Sequence, residues 1–213
     1  MDNLIYRNEL PDDYRKVEIM TREAFWNVYQ PGCTEHYILN CLRYSPDFIH
    51  ELDYVAEYRG RIVGNVVCVK SHINGDDGHL YPVLTLGPLS VHPEFQRQGI
   101  GRKLVQLVLS RAALLGHDAI MLCGDPLLYR HFGFKNAGKY GIRTSENKIS
   151  PVLQIYPLNG IDLTKLSGIY FESNAYEIDS EKVELFDSLF PKREKVVDTP
   201  TQLRFKELLE SVS

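Results

Sequence analysis

Leu86-Gly-Pro-Leu-Ser-Val-His-Pro-Glu-Phe-Gln-Arg-Gln-Gly-Ile-Gly-Arg-Lys-Leu104 is the stretch whose reading decides the fold. An apolar run passes through a turn into two glycines one residue apart, and an amphipathic helical pattern follows. Gly99 and Gly101 lack a Cβ, so an anion can come close to the backbone there. The first amides of a helix have no partner within it and carry about half a positive charge from the aligned peptide dipoles. A strand, a glycine turn and a helix N-terminus in that order make a phosphate cradle. It is not a P-loop, because Arg102, Lys103 and Leu104 follow Gly101 and no Ser or Thr is in place for magnesium. It is not a dinucleotide fingerprint either, since the position of the third glycine holds Leu104.

Outward from the cradle, periodicity and breakers place the remaining elements. Leu4 to Tyr6 reads as a first strand. Pro11 opens a helix with Val17, Met20 and Ala24 on its apolar face. After an aromatic connection from Trp26 to Gly32, Thr34 is placed to cap a second helix that points Ile38, Cys41 and Leu42 inward. Asp53 to Arg59, a turn at Gly60, and Arg61 to Lys70 form a hairpin pattern. His79 to Val91 is a long strand in which Gly87-Pro88 predicts a bulge or an unpaired face, because proline donates no ladder bond. The glycine helix runs from Gly99 to Leu115, burying Leu104, Val108, Ala112 and Leu115, with Gly116 as its C-cap. Ala119 to Cys123 reads as a buried parallel strand, with Cys123 inert. A helix crossing between two apolar strands after an antiparallel meander is a βαβ unit. The expected fold is α/β (α+β): a mixed, mostly antiparallel sheet with helices on both faces, plus a C-terminal extension. Residues after about 150 add strands at Leu153 to Tyr156 and Gly168 to Phe171, and helical patterns at Glu181 to Leu189 and Thr201 to Ser211.

Composition narrows the function classes. The formal charge of −4 over 213 residues argues against a nucleic-acid footprint. Cys33, Cys41, Cys68 and Cys123 form no Cys-x-x-Cys pair and read as reduced thiols of a cytoplasmic protein. No signal-like apolar core opens the chain, and no apolar stretch approaches the roughly 20 residues that cross a bilayer. The seven histidines show no ligand spacing with a carboxylate, so no metal site is expected.

Gln96-x-x-Gly99-x-Gly101, preceded by Leu89-Ser90-Val91-His92-Pro93, resembles the pyrophosphate-binding motif of the GNAT superfamily of acetyl-CoA-dependent N-acetyltransferases. Gly124-Asp125-Pro126 and Tyr129-x-x-Phe132-Gly133-Phe134 resemble a bacterial branch of predicted acetyltransferases in that superfamily. The resemblance implies a GNAT-like domain over 1–156, with 157–213 packed on it as an extension. It implies an acetyl group passed from acetyl-CoA to a primary amine of a small molecule or peptide by direct attack in a ternary complex. No nucleic acid or membrane partner is implied, and a homodimer is left open.

Under the resemblance, Gln96, Arg97, Gln98, Gly99, Ile100, Gly101, Arg102 and Lys103 anchor the cofactor, with Phe132 beside it. The three cations also fit a solvated helix start. The pantetheine arm pairs with Leu89, Ser90 and Val91 as a false strand, and an amide of Val91 or Leu89 faces the thioester oxygen. An oriented donor of that kind is worth about 2.7 to 4 kcal/mol. Tyr129 is assigned to the departing sulfur; a core tyrosine against Phe132 and Phe134 is the alternative. Trp26, Tyr29 and Glu35 are candidate acceptor residues, or an aromatic cluster under a loop. Asp125 joins them, although it equally suits an N-cap at Pro126. Glu35, Glu57 and Asp125 are the candidate proton acceptors. A non-catalytic acyl-CoA-binding or regulatory module, and more distantly a nucleotide binder, are the competing readings.

Overall fold

The computed structural model of the protein describes residues 3–211; residues 1–2 and 212–213, which the domain ranges above include, lie outside it. Its strands are β1 (Leu4–Asn8), β2 (Phe48–Tyr58), β3 (Arg61–Gly75), β4 (Leu80–Val91), β5 (Ala119–Cys123), β6 (Lys135–Asn136), β7 (Ile142–Arg143), β8 (Leu153–Pro157) and β9 (Gly168–Phe171). Its helices are α1 (Tyr14–Phe25), α2 (Glu35–Arg43), α3 (Ile100–Leu114), α4 (Pro126–Tyr129), α5 (Ser180–Asp187) and α6 (Pro200–Glu210). The sheet order is β1-β2-β3-β4-β5-β8-β6, with β9 paired to both β3 and β7. The β4–β5 and β7–β9 pairs are parallel and the others antiparallel. This is the mixed, mostly antiparallel architecture expected. Among the described residues no helix is long and apolar enough to cross a membrane, and all four cysteines are free.

Two apolar layers flank the sheet, because side chains on a strand point alternately to its two faces. On one face Ile100, Leu104, Val105, Val108 and Ala112 of α3 pack on Leu52, Ala56, Val63 and Val66. A Cβ at Gly64 would stand 3.0 Å from both Ile100 and Leu104, so α3 sits as close as it does because that position is glycine. Replacing the fully buried Leu104 by Ala is expected to cost about 2–5 kcal/mol of unfolding free energy, read from urea denaturation. On the other face Val17 and Met20 of α1 and Leu39 and Leu42 of α2 cover Val55, Ile62, Val67 and Val69.

Several local expectations change. α2 buries His36, Leu39, Leu42 and Arg43, while Ile38 and Cys41 are half-buried. Thr34 makes no side-chain cap; its amide instead donates to Glu35 Oε2 at 3.0 Å. Leu115 is 39% exposed, because α3 has already closed in a Schellman turn. There the His117 amide donates to the Ala112 carbonyl and the Gly116 amide to that of Ala113. β3 runs five residues past Lys70, since its far end gains β9 as a second partner, with His72 opposite Phe171.

A charged cluster is buried where β1, α1 and α2 meet. Arg43 donates to both Glu9 oxygens, at 2.6 and 3.1 Å, and to Glu18 Oε1 at 3.1 Å. Its guanidinium lies 4.3 Å from the Tyr14 ring centre. Burial and the nearby Asp53 push the Glu9 carboxyl up, against the pull of Arg43.

Candidate active site

The strands β4 and β5 separate to make the site. They are in register at Leu84–Ile120 and Thr85–Met121, and the pairing stops there. On the other side of β4, Leu86 pairs with Cys68 and Leu89 with Val66, so Gly87 and Pro88 together face the single residue Val67. This is the bulge that Gly87-Pro88 predicted. A Cβ at Gly87 would lie 2.8 Å from the Tyr176 hydroxyl and 2.9 Å from Val67, so the bulge is packed closely from both sides. The separation opens a cleft of about 790 Å³ along β4.

The cradle occupies one end. Arg97 and Gly99 both hold left-handed backbone, with φ of 59° and 86°. A non-glycine residue there costs of order 1–3 kcal/mol, a strain that gathers at ligand clamps. Among the described residues the amides of Gly99, Ile100 and Gly101 find no acceptor in the protein. They form the open N-terminus of α3, a 15-residue helix. Gln96 lines the cleft, but its side-chain amide donates 3.1 Å to the Val91 carbonyl and so fastens the loop to the end of β4.

Leu89, Val91, Arg97, Gly99, Ile100, Gly101, Arg102 and Phe132 all line the cleft with Gln96. Three expected cofactor residues do not. Ser90 points to the opposite face, where its hydroxyl bonds Thr21 at 2.8 Å in the core. Gln98 turns back to donate to the Glu94 carbonyl, and Lys103 is exposed on α3 one position past Arg102.

Tyr129 lines the middle of the cleft. Its ring packs on Phe134 and Phe132, with centroids 6.0 and 6.3 Å away, so the core contacts and a cleft position coexist. Burial pushes its phenol well up, which keeps it a proton donor. Tyr29 and Glu35 also line the cleft, and burial raises both, Tyr29 to about 12. Trp26 does not join them. Its indole donates to the Glu194 carbonyl, and Arg22 and Arg193 stack on its faces, which holds it to the Lys192–Lys195 segment instead. Asp125 caps α4 by accepting from the Leu127 amide, and Arg204 holds its carboxyl below the usual range from 2.5 Å. Glu57 accepts from Arg7 at the far edge of the sheet.

Four cleft residues come from beyond residue 156: Glu172, Tyr176, Phe205 and Leu209. Glu172 follows β9, and burial raises its carboxyl. It faces the Cys123 thiol, which lies exposed to the cleft rather than buried as expected. Desolvation and Glu172 push that thiol well up, away from the reactive thiolate. Phe205 stacks on Tyr29 at 4.7 Å. In sequence Glu172 carries no motif; the one available signal was Gly168 to Phe171, which sends a strand back to the sheet just before it.

Known proteins share this geometry. The family model for the acetyltransferase (GNAT) domain matches residues 50–136, from β2 to the end of β6. The uncharacterized N-acetyltransferase YhbS of Escherichia coli is 26% identical over 167 residues, covering 78% of this chain and 94% of its own. The crystal structure of YhbS in complex with CoA superposes with a TM-score of 0.73 at 22% identity, over 83% of this chain and 93% of that one. A GNAT family acetyltransferase from Brucella melitensis, solved with acetyl-CoA, gives a TM-score of 0.67 at 27% identity, covering 83% and 99%. With a cradle and a β4–β5 opening in one place, residues 50–136 match the acetyltransferase (GNAT) domain, and most of the chain is similar to N-acetyltransferases of that family.

Proposed function

We propose that the protein transfers an acetyl group from acetyl-CoA to the primary amine of a small molecule or peptide, by direct attack within a ternary complex. The observation that carries this reading is the unpaired edge of β4 leading to unsatisfied amides at the α3 N-terminus. An extended arm with a pyrophosphate at one end fits that edge and that terminus. The complexes of the Brucella melitensis and Escherichia coli relatives with acetyl-CoA and CoA support it.

In this reading the amides of Gly99 to Gly101, with Arg97 and Arg102, hold the pyrophosphate. An amide of Leu89 or Val91 polarises the thioester carbonyl. Tyr129 donates to the sulfur as negative charge develops there; its raised phenol gives a hydrogen bond rather than a full proton. An alkylamine with a pKa near 10.4 is almost wholly protonated at pH 7, so a base must accept its proton. Asp125 is a poor base with Arg204 upon it, and Glu57 is remote. Glu172, raised by burial and facing Cys123 at the end of β5, is assigned the proton. Glu35 is placed to attract the incoming ammonium.

The test is calorimetric titration of the full chain with acetyl-CoA and CoA. Micromolar binding is expected, and its loss in Gly99→Trp, whose Cβ would meet no protein atom within 4 Å and would project into open space. Gly99→Asn, which tolerates left-handed backbone, controls for strain. Absence of binding by the unmodified protein would refute the transferase reading. Binding without thiol release on any amine would favour the acyl-CoA-binding module.

A further inference from the structure

Past the bulge the cleft changes character. The ideal Cβ of Gly87 lies 3.4 Å from Leu42 of α2, which places α2 against that point of β4. Gly87 is four residues before Val91, about 13 Å along the strand and away from the cradle. Tyr176 stands at that point, and Phe25, Tyr29, Ile38, Phe205 and Leu209 also line the cleft, with Phe205 packed on Tyr29. Phe205 and Leu209 are four apart on α6 and present one face. Into this apolar wall project two carboxyl groups, Glu35 and Glu172. One Glu35 oxygen, Oε2, accepts from the Thr34 amide at 3.0 Å and the Cys33 thiol at 3.3 Å. Among the described residues the cations that line the cleft are Arg97 and Arg102, both in the cradle. Arg204 is tied to Asp125 at 2.5 and 3.1 Å.

Building on the transferase reading, we infer that the acceptor is a primary amine carried on an apolar or aromatic body without a carboxylate, an aralkylamine or a medium-chain alkylamine. The ammonium has a carboxylate to meet, and the body has an aromatic wall on which to lie. A carboxylate on the acceptor would enter a chamber with no free cation and two acids, a penalty that separates an amine from the amino acid of the same side chain. A polar body would lie against Phe25, Ile38 and Leu209 with less apolar area to cover, although Gln30, Thr34 and the Tyr176 hydroxyl share the lining.

Thiol release from acetyl-CoA by the full chain, measured across an amine series, tests this. Phenylethylamine and hexylamine are expected to exceed ethanolamine in kcat/KM by at least about 100-fold. Phenylalanine, with the same ring plus a carboxylate, is expected to fall to the ethanolamine level. Calorimetry of phenylethylamine against the CoA-loaded protein gives a readout independent of turnover, and Phe205→Ala is expected to cut the phenylethylamine-to-ethanolamine ratio at least tenfold. Preference for ethanolamine, a diamine, phenylalanine or a peptide N-terminus, with acetyl-CoA bound, would overturn the inference and leave the transferase reading standing. No acetyl-CoA binding would overturn both.

Discussion

Arg43→Leu is expected to lower the unfolding free energy by about 3–5 kcal/mol, read as a shifted midpoint in urea. The guanidinium is buried with three charge-assisted bonds to Glu9 and Glu18, whose side chains are also buried. Removing it leaves Glu9 without a counterion between α1, α2 and the sheet, and Glu18 with Arg15 alone, 3.5 Å away. The loss has a pH signature. Burial already raises Glu9, and without Arg43 its folded-state value climbs further above its unfolded one. A carboxyl raised in the folded state binds its proton more tightly there, so acid favours folding and alkali opposes it. The deficit of the variant is therefore expected to be smallest in acid and to widen as the pH rises toward and through the raised value of Glu9. A deficit independent of pH would mean that lost packing against Tyr14 dominates instead.

Glu172→Gln is expected to lower kcat by about 10²–10⁴-fold. Glutamine keeps the size of the side chain and cannot take a proton, so calorimetric binding of acetyl-CoA should survive. The unmodified protein should lose activity as the pH falls through the raised value of Glu172, above the ordinary range of a carboxylate, because the base works only when ionised. The variant should lose that acidic limb along with the rate. An unchanged rate would move the proton to Glu35 or to water.

The sequence states local grammar clearly and distant assembly hardly at all. Gly87-Pro88 foretold the bulge because proline's missing donor acts on its own strand. Asp125 before Pro126 foretold a cap because the partner amide is two residues away. Gly99 and Gly101 marked the cradle because backbone geometry and helix polarity are read within one turn. Arg43 ends a helix, and its burial depends on Glu9 and Glu18, which reach it from the residue after β1 and from α1. Trp26 looked like part of the acceptor site, but a later segment supplies its hydrogen-bond partner. Ser90 sits within the motif, yet strand alternation turns its hydroxyl toward Thr21. Glu172 reaches the cleft because β9 returns to β3, pairing Phe171 with His72, and no spacing rule spans that distance.

The β9 return also sets an order of events during synthesis. Chains emerge from the N-terminal end and domains fold as units. Once β5 and β8 are out, both sides of the β4–β5 opening and the α3 terminus exist. Glu172, Tyr176, Phe205 and Leu209 do not yet exist. A nascent chain at that stage has the residues proposed to hold the cofactor, and Phe25, Tyr29, Glu35 and Ile38 of the acceptor wall, but lacks Glu172, proposed to take the proton. Every residue proposed to hold the cofactor is thus made before the one proposed to take the proton of the amine.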